Sequence, residues 1–170
     1  MVVTGSGAVG AYYAYRQRKR LDNLKELERI IIYLENDIRY RHSIISAAFR
    51  NVSSKCSKSF SEWLNLLSDR LDFYEDFYEK DTYNFSTIWD MSLSFLEDNT
   101  FLNKEDFNNL SELGQTLGYL DIAAQEMGVK LFLENLHIKI SDINISLNDK
   151  IRVSIIAGIV SGIFVVVLLV

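Results

Sequence analysis

The chain ends on eighteen uncharged residues, Val153 to Val170, thirteen of them Val, Ile, Leu or Phe. As a helix rising about 1.5 Å per residue they span roughly 27 Å, close to the hydrocarbon thickness of a bilayer. At about −0.3 to −0.6 kcal/mol per large apolar residue, insertion is favoured by about 4–8 kcal/mol, less a small cost for the Ser and Gly residues. A core helix of a soluble protein keeps a polar face, and this run has none. It is expected to be a C-terminal transmembrane helix.

The other end is shorter. Met1 to Tyr15 carries no charge and then meets Arg16, Arg18, Lys19 and Arg20. Fifteen residues reach only about 22 Å, and Thr4, Gly5, Ser6, Gly7 and Gly10 weaken the hydrophobic drive. No basic residue precedes the run, so a signal peptide fits poorly. Tyr12, Tyr13 and Tyr15 have the character of an interfacial belt. Residues 1–15 are expected to form an N-terminal membrane segment that is short or truncated. Lys150 and Arg152 flank the C-terminal run as the arginines flank this one. The positive-inside rule then places residues 16–152 in the cytoplasm as a domain held at both ends to one membrane. Gly158 and Gly162 make a small-xxx-small pair, as do Ser6 with Gly10 and Gly7 with Ala11, so the two anchors are expected to pack as a hairpin.

Between the anchors the periodicity is helical. Leu24, Leu27, Ile31, Leu34 and Ile38 recur at three- and four-residue spacing. Ser43 can cap a second helix with the face Ile44, Ile45, Ala48, Phe49 and Val52. Ser59 and Glu62 have capping-box spacing ahead of Trp63, Leu64, Leu67 and Leu71. A fourth helix is expected over about 86–96 through Ile88, Trp89, Leu93 and Leu96. Asn103, with Glu105 and Asp106 after it, starts a fifth, with Leu102 and Phe107 as hydrophobic staple and Gly118 as the residue after its end. Asp121 can cap a last helix that meets no stop before Val170. Its stripe of Val129, Leu133, Leu136, Ile140, Ile143 and Leu147 packs on the first helix in the simpler reading, or forms a homo-oligomer in the sharper one. No strand-period run occurs and the chain contains no proline. The fold class is all-α: a cytoplasmic bundle of about six helices with a C-terminal transmembrane helix and a short N-terminal membrane segment.

Groups for catalysis are scarce. The net charge of −5 leaves no basic stripe for nucleic acid. Glu134 and His137 make one Glu-x-x-His pair, half of a carboxylate metal site, without a second. Cys56, the single cysteine, lies among serines with Lys55 and Lys58 and excludes an internal disulfide framework. Gly5-x-Gly7-x-x-Gly10 matches a dinucleotide fingerprint by letter, but no strand precedes it. No catalytic residue, metal ligand or cofactor is assigned. The stretch around Tyr74 and Tyr78 alternates acids with rings. It reads first as a helix end with its rings turned inward and second as a docking surface for a basic partner.

Leu102-Asn103-Lys104-Glu105-Asp106, then Leu110-x-x-Leu113-Gly114-Gln115-Thr116-Leu117-Gly118, then Asp121 and Gln125, resembles the stage III sporulation protein AB family. Leu34-Glu35-x-x-Ile38-x-Tyr40 and Ala47-Ala48-Phe49 agree, and Trp89 and the terminal anchor fall in the same order. The family begins with a fuller hydrophobic segment than this chain has. Its members are similar to the cytoplasmic helical domains of the type II secretion inner-membrane platform protein, and they are not enzymes. The resemblance implies a scaffold of the channel-like complex between mother cell and forespore. It places the chain in the mother-cell membrane around the forespore, its domain facing the cytoplasm. The partners it implies are the secretion-type ATPase stage III sporulation protein AA and other membrane subunits. Two other readings compete: a membrane-attached, metal-dependent helical-bundle enzyme, and a tail-anchored adaptor with a soluble N-terminus.

Within the matching block, a glycine inside a helix costs about 1 kcal/mol relative to Ala, which is tolerable where another helix must come close. Gly114 is expected to mark such an approach. Gln115 and Thr116 are expected to hydrogen-bond across the turn after Leu117 and Gly118, making the block a structural hinge first and a partner contact second.

Overall fold

The computed structural model describes residues 3–41, 45–77, 84–118 and 122–169, with side chains over 12–37, 45–74, 84–118, 123–147 and 149. These residues form six α-helices: α1 (Val3–Arg41), α2 (Ile45–Ser53), α3 (Lys58–Phe77), α4 (Phe85–Asn99), α5 (Lys104–Leu117) and α6 (Ile122–Leu169). No strand occurs among the described residues. Each helix packs its backbone closely on the next in the chain and α6 returns to α1, while side chains alone join α1 to α5 and α2 to α4. The bundle is therefore a closed ring of six.

The apolar spacing of each helix decides which face it turns inward. On α1, Leu21, Leu24, Leu27, Ile30, Ile31 and Leu34 are buried. On α6, Val129, Leu136 and Ile140 are buried, with Leu133, Ile143 and Leu147 packed against them. The last helix thus spends its long stripe on α1, with Glu28 and His137 side by side at 3.1 Å to set the antiparallel register. The centre of the ring is aromatic. Trp63 and Trp89 meet edge to face with centroids 5.2 Å apart, and Phe49 and Phe60 close around them. Burying indole rings strands two N–H donors unless each finds an acceptor. Trp63 Nε1 donates to Ser92 Oγ (2.9 Å), and Ser92 in turn donates to the Trp89 carbonyl (2.6 Å). Trp89 Nε1 donates to the Leu110 carbonyl (2.8 Å). Among the described residues no buried side-chain nitrogen or oxygen lacks a partner.

One helix start differs from expectation. Ser59 is not a cap: α3 already begins at Lys58, and the Ser57 carbonyl accepts the Ser61 N–H (2.8 Å). A long-range bond sets this start, because the Ser57 N–H donates to Glu26 Oε1 of α1 (2.5 Å). At α4, the Asn84 side chain accepts the Ser86 N–H and opens the helix at Phe85. Gly118 does follow α5, but at φ −78° it sits in the right-handed region and uses none of glycine's freedom. The side chains of Ile38, Ser43, Ile44 and Asp121 lie outside the described residues.

No helix is long and apolar enough to cross a membrane among the described residues. The expected transmembrane run lies outside them in its side chains, as does most of the N-terminal segment, while the helical backbone of α6 continues through 153–169.

Ser92 accepts from one indole while donating to the backbone of the other. Ser92→Ala leaves the Trp63 N–H buried without an acceptor, and is expected to cost about 1–3 kcal/mol. Urea unfolding of the full chain in detergent, followed by circular dichroism, measures the loss.

Candidate functional site

Two clusters on α5 tie the ring together, one at each end. At the start, the Asn103 side chain accepts the Asp106 N–H (2.9 Å) while Asp106 Oδ2 accepts the Asn103 N–H (2.9 Å), a complete capping box. The same carboxylate is buried, at 3% exposure, and receives Arg20 of α1 through both oxygens: Nε to Oδ2 at 2.7 Å and Nη2 to Oδ1 at 2.8 Å. Lys139 of α6 adds a third cationic bond, Nζ to Oδ1 at 3.1 Å, and also reaches Glu105 at 2.8 Å. Burial alone pushes the Asp106 carboxyl up. The Arg20 guanidinium, the Asn103 N–H and Lys139 outweigh it and hold the group below the ordinary carboxylate value. The Asp106 hydrogen bond in turn raises Arg20, against the effect of burial. Beside this clasp, Leu24, Leu27, Phe132 and Leu136 line a cavity of about 10 Å³, which holds no more than one water.

At the far end of α5 lies the glycine corner. A Cβ on Gly114 would stand 2.1 Å from Trp89 Cδ1 and 2.6 Å from Nε1, so the indole of α4 occupies the space a side chain would need. A Cβ on Gly128 of α6 would stand 2.1 Å from Thr116 Cγ2. Among the described residues neither Gln115 nor Thr116 bridges the turn. Thr116 Oγ1 donates back to the Glu112 carbonyl (3.0 Å) and Gln115 is exposed. Gln125 Nε2 donates across the turn to the Leu117 carbonyl (3.0 Å), satisfying one of the carbonyls that a helix end leaves without an intrahelical donor. Leu117 is half-buried against the core.

The remaining candidates are scattered. Tyr74 is half-buried and meets Phe73 edge-on, while Arg50 of α2 holds both Asp69 and Asp72 at 2.9 Å. Tyr78 lies outside the described residues, and Gly158 and Gly162 lie beyond the described side chains. His137 pairs with Glu28 and Glu134 is exposed. No group of three or more His, Cys, Asp or Glu able to hold a metal occurs among the described residues. Cys56 donates to the Val52 carbonyl (3.2 Å), and burial pushes its thiol up to about 11, the reverse of an activated nucleophile. Of the basic residues that follow residues 1–15, Arg20 belongs to the clasp, and Tyr15 stands edge-on to Phe101 (6.0 Å). Spacing alone signals the Asn103–Asp106 box, but nothing local to Arg20 signals its partner 86 residues away.

An all-α ring of six helices, clasped at the start of α5 and fitted by glycines at its end, defines a helical-bundle domain assembled from packing and ion pairs. The chain belongs to the stage III sporulation protein AB family, whose profile matches residues 1–170. It is 27% identical over 157 residues to stage III sporulation protein AB of Bacillus subtilis (strain 168), covering 91% of this chain and 85% of that protein. A solved structure of stage III sporulation protein AB superposes with a TM-score of 0.67 at 25% identity, over 76% of this chain and 97% of that one.

The glycines make unequal demands. Gly114→Ala is expected to destabilise by about 1–3 kcal/mol, since the indole has no room to move in a packed core. Gly118→Ala is expected to stay within about 0.5 kcal/mol. Gly128→Ala is expected to be destabilising but relieved by Thr116→Ser, which removes the clashing methyl. Thermal unfolding of the full chain in detergent ranks the four.

The clasp carries a pH signature. Because the folded carboxyl titrates below its unfolded value of about 3.9, its stabilisation is complete above that pH and is lost as pH falls through the folded value. Asp106→Asn leaves Arg20 and Lys139 without their shared anion and is expected to cost about 3 kcal/mol at pH 7. The variant is expected to lose less stability than the wild type between pH 5 and pH 2, on the order of the titration it no longer has. Urea titrations across that range compare the two slopes.

Proposed function

We propose that this chain is a non-enzymatic, membrane-anchored scaffold of the sporulation complex between mother cell and forespore. It sits in the mother-cell membrane around the forespore, with its helical domain in the cytoplasm. The observation that carries this reading is the position of the ends. Arg20 midway along α1 and Lys139 in the first half of α6 converge on Asp106, and with these two helices antiparallel the N-terminal half of α1 and the C-terminal part of α6 continue on the same side of that point. Carried onward, the register of Glu28 opposite His137 sets residues 3–15 beside 150–162 and brings Gly7 level with Gly158. Both apolar runs then enter one membrane as a hairpin, 1–15 as a short segment and 153–170 as the full span. Family membership supports the sporulation role.

The domain so placed docks the secretion-type ATPase, stage III sporulation protein AA, beneath the membrane, together with other membrane subunits. Among the described residues of the acidic-aromatic stretch, Phe73 is an outward ring, at 51% exposure, and it is the contact to remove first.

In native membranes carrying a Cys56→Ser background, the pair Gly7→Cys and Gly158→Cys is expected to oxidise to a monomer-sized, cross-linked species. A cysteine at position 7 that is labelled by an impermeant reagent from the domain side would instead mean a tail-anchored adaptor. Solubilised full chain is expected to retain the ATPase on co-purification and to lose it with Phe73→Ala. A wild-type chain that retains none would end the docking proposal.

A further inference from the structure

Two strips of surface are left over by the ring. With the inward stripe of α6 turned to α1, its outer side carries Leu131, Ile138 and Ile145, seven residues apart and 55%, 58% and 57% exposed. Glu134, Asp142 and Asp149 flank them, all exposed. The outer side of α1 carries Arg18, Lys25 and Arg29, with the exposed Ile32 beyond them and Asp22 as the one acid between. Among the described residues, none of these three cations and three anions is engaged in an ion pair.

We propose that these strips form an interface between two copies of this chain, related by a twofold axis parallel to α1 and α6. Both strips face away from the bundle, so they cannot meet within one chain. The twofold sets α1 of each copy on α6 of the other, an isologous contact in which every pair occurs twice. An axis along the helices also preserves height. In the register of Glu28 opposite His137, Arg18 comes level with Asp149, Lys25 with Asp142, Arg29 with Glu134 and Ile32 with Leu131, each within two residues. The seven-residue repeat of Leu131, Ile138 and Ile145 is the spacing of a helix-pairing seam. A basic helix from another protein would neutralise the α6 strip but leave the α1 cations unmatched, whereas a second copy satisfies both strips at once. The inference rests on the reading that both chain ends enter one membrane, which directs the axis along the membrane normal.

The test is sedimentation of the full chain in detergent, alone and as charge-reversed variants. Wild type is expected to dimerise. Lys25→Glu/Arg29→Glu, and separately Glu134→Lys/Asp142→Lys, are each expected to raise the dimer dissociation constant by about tenfold or more, since attraction becomes repulsion at four places. Mixed one to one, the two variants complement at every reversed pair and are expected to dimerise at wild-type concentrations, a recovery that misfolded variants would not give. A monomeric wild type, a dimer indifferent to both reversals, or a mixture that stays monomeric would each overturn the proposal. So would a monomeric chain whose α6 strip takes up a basic helix of another subunit. The cross-link between positions 7 and 158 reads the anchoring independently, so a failed dimer with that cross-link intact overturns this inference alone.

Discussion

The Asp106 carboxylate joins the first, fifth and sixth helices at the start of α5. A carboxylate removed from water costs several kcal/mol unless its lone pairs are filled, and here four donors fill them: two from Arg20, one from Lys139 and one from its own helix cap. The donors come from the first, fifth and sixth helices, so the charge is satisfied only when the ring has closed. Apolar stripes drive α1, α5 and α6 together, but such contacts are non-directional and would tolerate a helix shifted by one turn. A forked guanidinium on a buried carboxylate does not tolerate that shift, because both bonds lengthen together. The clasp therefore contributes register where the stripes contribute drive. Since the carboxylate also completes the α5 cap, starting that helix and closing the ring depend on the same atoms.

The other end of α5, roughly 20 Å away along the helix, is fixed by shape rather than charge. Trp89 lies where a Gly114 side chain would be, and Thr116 fills the notch at Gly128. These contacts seat α5 against α4 on one side and α6 on the other, with the Gln125 side chain sealing the turn between α5 and α6. Between the two fixed levels sit the indoles, each N–H committed to one acceptor.

The helices themselves were legible because burial follows a 3.6-residue period that any stretch of chain displays locally. Leu24, Leu27, Ile31 and Leu34, or Ile88, Trp89, Leu93 and Leu96, state their inward face without knowledge of what they face. Asn103 was legible for the same reason, since a cap is a relation among four consecutive residues. What was not legible is pairing across the chain. Arg20 reads as one of four basic residues beside an apolar run, and only the fold brings one of them onto Asp106. Gln125 and Gln115 look equally able to bridge the corner. The antiparallel run of α5 and α6 decides for Gln125, whose amide points back at the Leu117 carbonyl. The start of α3 failed for a related reason: Glu26, distant in sequence, captures the Ser57 N–H and overrides the local box at Ser59.

The division of α6 into two faces explains why one helix supports two readings of its sequence. Val129, Leu133, Leu136, Ile140, Ile143 and Leu147 follow a coiled-coil-like spacing, yet the structure turns that line inward. A helix with one apolar stripe that is consumed by its own bundle needs no further hydrophobic residues outside. Leu131, Ile138 and Ile145 are nevertheless there, on the opposite side and in a line of their own. Each is flanked by carboxylates that keep the exposed strip soluble, and the neighbouring helix presents the matching cations. Scattered surface leucines require no explanation, but a repeat of seven carried along one helix face is ordered. The charges along the two strips lean to opposite signs, with Arg18, Lys25 and Arg29 on α1 and Glu134, Asp142 and Asp149 on α6. Two strips of opposite bias on the outer sides of one chain leave each copy with both halves of a contact that it cannot make with itself.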